Sequence, residues 1–350
     1  MRFLRPRFRD LKPYHSAYVT EGVILNANES PYKAPEGLVQ HMQKWLSTEM
    51  LSCRYPDTDS LKLSAALADN FGVDVRNIVC GVGSDELIDC ILSSTIENDD
   101  KVMMPYPSFS MYAQFSILNS ASLIKVPLTA DFTYDVAAFI ESVQRHQPKV
   151  IFICNPNNPT GCIMAKEDIK RILEVAKGLV VVDEAYAEFD DCKESAIPFI
   201  KEYSNLIVLK TFSKAYALAG ARVGYGIACS EVIDLINTVR VPYNLSIFSQ
   251  EAAFWAIANK ALYKENITKI IAERSVLEKG LQALGIKTYP SHANFIWCEL
   301  KAGIFEALEK RQIYIRKMNV EDKPYYRITV GTPAENQMLL KALKEMETVL

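Results

Sequence analysis

The sequence predicts an α/β protein in which a large domain with a mostly parallel sheet is followed by a smaller α+β domain. Three observations carry this expectation. Short apolar runs, several near-continuous in Val, Ile and Leu, recur along the first two-thirds of the chain, as expected of strands covered by helices on both faces. Segments with helical apolar spacing lie between them, and such alternation builds parallel sheets. After about residue 230 the pattern changes to a long helical region and then a looser mixture of strand-like and helix-like pieces.

The elements follow in order. The opening stretch is basic (Arg2, Arg5, Arg7, Arg9) without an apolar core of signal-peptide length, so it reads as a short arm and not as an export signal. Strands are expected at Ile78–Cys80, Lys101–Met104, Ser122–Val126, Val150–Cys154, Leu179–Asp183, Leu206–Lys210 and Val223–Ala228. Asp85–Ser94 brings Leu87, Ile88, Ile91 and Leu92 to one helical face, and Lys166–Lys177 does the same for Ile169, Ile172, Leu173 and Ala176. The helical region 230–284 breaks near Pro242. Strand-like Ala293–Glu299, helix-like Ile304–Arg311, strand-like Tyr325–Val330 and a terminal helix from Ala334 complete the chain. The expected division is an arm over 1–30, a large domain over 31–240 and a small domain over 241–350.

With 350 residues, 49% of them hydrophobic, the chain can bury a substantial core, and its net charge of −3 lacks the basic footprint of a nucleic-acid binder. No run reaches the roughly 18 apolar residues of a membrane span. The eight cysteines show no CxxC spacing, and Cys80, Cys154 and Cys298 sit inside apolar runs. Reduced, structural thiols in a cytoplasmic protein are expected. Four histidines without metal-ligand spacing argue against a zinc site, and no metal is expected.

The chemistry-bearing segments all follow apolar strands, where open α/β sheets bind ligands. Cys80-Gly-Val-Gly-Ser-Asp-Glu86 leaves a strand and opens a helix, so its free N–H groups suit a phosphate and equally an ordinary capped turn. It does not meet the dinucleotide fingerprint, because Glu86 stands where the third glycine belongs. Asn155-Pro-Asn-Asn-Pro-Thr-Gly161 is a stiff loop whose Asn158 amide can donate to a bound oxygen. Asp183 closes an all-apolar strand, is costly to bury alone, and calls for a cation, either a structural partner or a protonated ring nitrogen. Thr211-Phe-Ser-Lys-Ala-Tyr-Ala-Leu-Ala-Gly-Ala-Arg222 offers hydroxyls, a lysine amine and a guanidinium fork. Small apolar neighbours would desolvate Lys214 and favour its neutral, nucleophilic form. Phosphate cradle, carboxylate, amide donor and lysine together are what pyridoxal phosphate requires.

With these segments in hand, the chain resembles the fold type I, class II aminotransferases, and within them the histidinol-phosphate aminotransferases. The matching residues include Pro13-Tyr14, Leu25-Asn-Ala-Asn-Glu29, Arg54-Tyr55-Pro56, Gly83-Ser-Asp-Glu86, Asn157-Asn-Pro-Thr-Gly161, Asp183-Glu-Ala-Tyr186, Ser213-Lys214-Ala215, Ala219-Gly-Ala-Arg222 and Arg327-Ile-Thr-Val-Gly-Thr332. The resemblance implies pyridoxal 5'-phosphate, with Lys214 as its attachment point and proton carrier and Asp183 at the ring nitrogen. It places Asn158 and Tyr186 at the phenolic oxygen, and Ser84, Asp85, Thr211, Ser213 and Arg222 at the phosphate. It implies a homodimer in which Tyr55 reaches the partner's phosphate. Phe109 takes the ring-stacking place where family members often carry Tyr. Tyr14, Asn28, Arg316 and Arg327 match substrate contacts, the arginines those for carboxylate or phosphate. The implied substrates are histidinol phosphate and glutamate or 2-oxoglutarate. An aromatic aminotransferase and a threonine-phosphate decarboxylase share this fold and stay open, as do a non-catalytic relative and, more remotely, a nicotinamide enzyme.

Overall fold

A computed structural model describes residues 3–5, 8, 19–48 and 53–347. Its strands are β1 (Val23–Leu25), β2 (Ile78–Val82), β3 (Lys101–Tyr106), β4 (Ser122–Pro127), β5 (Val150–Cys154), β6 (Leu179–Asp183), β7 (Leu206–Thr211), β8 (Val223–Ala228), β9 (Thr288–Tyr289), β10 (Phe295–Cys298), β11 (Ile313–Val320) and β12 (Lys323–Thr329). Its helices are α1 (Glu36–Thr48), α2 (Leu61–Phe71), α3 (Gly83–Thr95), α4 (Ser110–Leu118), α5 (Val136–His146), α6 (Lys166–Val175), α7 (Ser230–Val239), α8 (Ile247–Ala258), α9 (Lys264–Ala283), α10 (Ile304–Lys310) and α11 (Pro333–Glu347).

The seven-stranded sheet runs β2-β8-β7-β6-β5-β3-β4. Neighbours from β7 to β4 pair parallel, and β8 is antiparallel to both β7 and β2. Every residue of β5, β7 and β8 is buried. Alternation explains why their sequences are apolar without a gap. Ile151, Ile153, Val180, Val182, Leu206 and Val208 face one core. Val150, Phe152, Val181, Ile207 and Leu209 face the other. Each fully buried Val, Leu or Ile contributes about 1.5–3 kcal/mol, so a charge inside these strands would be strongly disfavoured. The one charge within them, Lys210 beside the end of β7, is held by Glu184 and Glu188. Because β2 runs with β3–β7, the carboxyl ends at Val82, Cys154, Asp183 and Thr211 open on one side.

The smaller sheet is ordered β1-β11-β12-β10-β9. β1, from the predicted arm, pairs parallel with β11, while β11, β12, β10 and β9 pair antiparallel. The chain after β1, residues 26–29, is thereby brought to the carboxyl ends of the large sheet. The helical region breaks near Pro242 as expected and again before α9, at 259–263. α8 packs on α1 and α2, whereas α9 packs on α11 and β10. Among the described residues no helix is long and apolar enough to cross a membrane.

Candidate active site

The strand ends converge on a cavity of about 360 Å³. The β2–α3 turn supplies Gly83, Ser84 and Asp85, and β8 is preceded by Arg222. Gly83 has φ +70°, and a Cβ there would lie 2.6 Å from Arg222 Nη2. A Cβ on Gly224 would lie 2.3 Å from the Ser84 backbone nitrogen. Side chains are thus excluded where the α3 amino end meets Arg222. That arrangement leaves backbone N–H groups and a guanidinium facing one small space, an anion cradle. Arg222 Nη2 pairs with Asp85 Oδ2 at 3.1 Å. Thr211 and Ser213, past the end of β7, complete the wall, with Thr211 Oγ1 donating to Ser213 Oγ at 3.0 Å.

Asp183 is buried at the end of β6. Its Oδ2 accepts the Tyr112 hydroxyl at 2.6 Å, and its Oδ1 accepts the Ala185 N–H at 3.1 Å. Burial raises its pKa to about 6, against the lowering pull of these two donors. Among the described residues no cation pairs with it. The structural salt bridge instead belongs to its neighbour: fully buried Glu184 and half-buried Glu188 hold Lys210, at 3.5 and 3.0 Å. Asp183 therefore faces the cavity as a carboxylate in need of a cation.

Lys214, half-buried, donates from Nζ to the Ala27 carbonyl at 2.9 Å. Its pKa falls to about 8, first through withdrawal from water and then through the positive charges of Arg327 and Arg222, with Glu29 and Asp85 opposing. The small residues after Lys214 are thus only part of what depresses it; Arg327, distant in sequence, and Arg222, eight residues on, add to it.

A second cavity, of about 190 Å³, shares Ala27, Phe109, Asn158, Tyr186 and Lys214 with the first and adds Asn28, Arg316 and Arg327. Arg316 and Arg327 are direct partners in the β11–β12 register. Arg327, buried, donates through Nη1 to Asn158 Oδ1 at 2.5 Å and through Nη2 to the Asn26 carbonyl at 2.9 Å. With its oxygen so engaged, Asn158 presents N–H donors as its remaining polar group. Asn28 (φ +55°) donates from Nδ2 to the Tyr186 hydroxyl at 3.0 Å and is itself held by Thr329. Its amide fixes Tyr186, whose hydroxyl burial pushes well up from the ordinary range.

Ser84, Asp85, Phe109, Asn158, Asp183, Tyr186, Thr211, Ser213, Lys214 and Arg222 line the first cavity together. Tyr55 lies outside it, 81% exposed, with its ring stacked on Tyr243 at 4.6 Å. Tyr14 lies outside the described residues. Sequence reasoning missed Tyr112, Glu29 and the Ala27 carbonyl. Tyr112 stands three residues after Phe109 on the same helical face and touches it edge-on, a spacing that could have flagged it. It also stacks on Phe152 at 4.4 Å, which fixes the hydroxyl on Asp183.

These residues fit pyridoxal phosphate on the structure's own terms. Ser84, Asp85, Thr211, Ser213 and Arg222 stand together on the wall of the first cavity as donors for an anion, and among the described residues the buried Asp183 carboxylate has no protein cation. Residues 20–343 match the family described as aminotransferase class I and II. The histidinol-phosphate aminotransferase of Caldanaerobacter subterraneus subsp. tengcongensis is 40% identical over 98% of each chain. The crystal structure of the Clostridium acetobutylicum histidinol-phosphate aminotransferase is similar, with a TM-score of 0.86 at 26% identity over 94% of this chain and 100% of that one. The Sinorhizobium meliloti enzyme of that name, in complex with pyridoxal-5'-phosphate, shares the fold with a TM-score of 0.89 at 23% identity over 100% and 99% of the two chains. The strand-end motifs, the anion cradle, the Lys214–Asp183 cavity and these likenesses converge on one conclusion: the chain belongs to the class I and II aminotransferase family, with the histidinol-phosphate aminotransferases, and is a pyridoxal-phosphate-dependent transferase.

Proposed function

We propose that the chain transfers an amino group between histidinol phosphate and 2-oxoglutarate, with glutamate as donor for the reverse half-reaction, as a cytoplasmic homodimer in histidine biosynthesis. The observation that carries this is the join between the two cavities: Lys214 and Asp183 stand in the first, and two facing arginines stand in the adjoining second. The nearly full-length relative named for this activity supports the same reading.

Bound pyridoxal phosphate supplies an electron-withdrawing ring that stabilises negative charge on the substrate's α-carbon. The chain supplies the rest. The Ser84 and Asp85 N–H groups, with Thr211, Ser213 and Arg222, hold the phosphate. Asp183 keeps a proton on the ring nitrogen by carrying its counter-charge. Asn158 and Tyr186 serve the phenolic oxygen, and Phe109 covers one ring face. Lys214, with its pKa near 8, is substantially neutral at mildly alkaline pH, so its Nζ takes the α-proton and returns it on the cofactor side. Arg316 and Arg327 bind the substrate's anionic groups, bidentate where planar. In this reading Tyr55, exposed and outside its own cavity, serves the partner's phosphate. On the same reading the chain divides into an arm over 1–30, a large domain over 31–240 and a small one over 241–350, although α8 packs on α1 and α2.

A substrate panel tests the proposal. Purified holoenzyme is offered histidinol phosphate, phenylalanine, tyrosine and threonine phosphate while cofactor absorbance, glutamate and CO₂ are followed. Fastest conversion of histidinol phosphate without CO₂ is expected. Preference for the aromatic amino acids, or CO₂ from threonine phosphate, would overturn the substrate assignment.

A further inference from the structure

We propose that Asp190, Cys192 and His292 form a site for a divalent transition-metal ion of the zinc type, apart from the cofactor cavity. Asp190 Oδ1, Cys192 Sγ and His292 Nδ1 all lie within 4.8 Å of one another. Nδ1 is 3.1 Å from the Asp190 oxygen and 3.9 Å from the Cys192 sulfur. Tetrahedral zinc, with bonds of about 2.0–2.3 Å, separates N and O ligands by about 3.4 Å and N and S ligands by about 3.6 Å. These two spacings differ from the ideal by a few tenths of an ångström, within reach of a side-chain adjustment, and the third, between Asp190 and Cys192, is within 4.8 Å. One imidazole, one thiolate and one carboxylate select zinc or cobalt over magnesium or calcium, which prefer oxygen alone. Cys192 is exposed, so the fourth position is open to water.

The surroundings hold the ligands in place before an ion arrives. The Asp190 carboxylate is buried and accepts the N–H groups of Cys192 and Glu194, each at 2.9 Å. The buried Arg274 guanidinium donates to the carbonyls of Phe189 and Ala293, each at 3.0 Å. Those carbonyls adjoin Asp190 and His292, so Arg274 sets the distance between two segments far apart in sequence. Such support of the ligands raises metal affinity. On binding, the ion loses coordinated water, Cys192 gives its thiol proton to solvent, and His292 gives up the Nδ1 proton that faces the Asp190 carboxylate and carries its remaining proton on Nε2, so that the Nδ1 lone pair binds the ion.

The bound ion would be a clasp. His292 N–H donates to the Gly161 carbonyl at 2.8 Å, at the end of the loop that carries Asn158. Asn294 Nδ2 donates to the Asn28 carbonyl at 3.0 Å. Coordination ties this segment, which leads into β10, to the turn beyond β6, and so secures the small sheet to the large one.

The test is titration of metal-stripped holoenzyme with Co²⁺. Wild type should take up a stoichiometric amount, with thiolate charge transfer in the near ultraviolet and intensified visible bands of a tetrahedral site. Cys192→Ser should lose the charge transfer and His292→Gln should weaken the visible bands. Cys53→Ser, at the other cysteine classed as exposed among the described residues, should retain both. Zn²⁺ should raise the unfolding temperature of wild type and not of Cys192→Ser, whose unaltered turnover would report an intact fold. No tetrahedral bands in wild type, persistence of the charge transfer in Cys192→Ser, or an equal Zn²⁺ effect in both would overturn the proposal.

Discussion

Replacing Asp183 with Asn should make the cofactor-free protein more resistant to urea as pH rises, relative to wild type. Burial raises the Asp183 pKa from 3.8 to about 6. A folded pKa above the unfolded one means a contribution to stability that is complete below the unfolded pKa and lost as pH climbs through the folded value. At about 1.4 kcal/mol for each pH unit separating the two, wild type loses about 3 kcal/mol over that window. Asparagine does not titrate. Its Oδ1 can still accept the Tyr112 hydroxyl, but the Ala185 N–H loses an acceptor, which costs about 1 kcal/mol at every pH. The difference between the variants should therefore grow by about 2 kcal/mol between pH 4 and pH 6.5, most of the full shift. Urea unfolding followed by circular dichroism at fixed protein concentration measures it. Loading the cofactor should remove the advantage, because the ring nitrogen then provides the missing cation. Parallel pH curves for the two cofactor-free proteins would refute the assignment of Asp183 as an uncompensated buried acid.

Lys214→Ala should abolish turnover and the absorbance near the visible edge; transamination at the wild-type rate would remove Lys214 from its role. In cofactor-free wild type, labelling of Lys214 by an amine reagent should climb with pH through about 8, as mapped by mass spectrometry. Tyr112→Phe removes a donor that holds the Asp183 pKa down, so Asp183 should titrate at still higher pH and cofactor affinity should fall about tenfold, as read by fluorescence titration. Arg316→Ala should raise KM for histidinol phosphate about 10- to 100-fold, the worth of a charge-assisted bond, and far less for phenylalanine; equal rises would take phosphate reading away from Arg316. Gly224→Ala drives a Cβ against the Ser84 amide, backbone that cannot swing aside, so the variant should unfold at lower temperature and lose cofactor on gel filtration.

The large sheet was legible in the sequence because burial on both faces demands apolar residues at successive positions, and β5, β6 and β7 say so without interruption. The cofactor motifs were legible for the complementary reason. An acid, an asparagine, a glycine pair or a lysine just past such a run breaks a pattern that only a ligand or a partner explains. β1 was not legible as a strand. Its three residues are too few to show a period, and only β11 gives them a ladder. Nor could local reading separate the fates of adjacent acids, since Glu184 meets Lys210 on one face while Asp183 meets Tyr112 on the other. By itself the sequence determined the alternating architecture and the cofactor class, and it singled out Lys214 and Asp183, which line one cavity. Tertiary structure alone decided that Tyr112 holds Asp183, that Asn28 holds Tyr186, and that Arg327 both faces Arg316 and depresses Lys214. Those contacts join residues far apart in the chain, and they depend on strand register and packing, which no local period encodes.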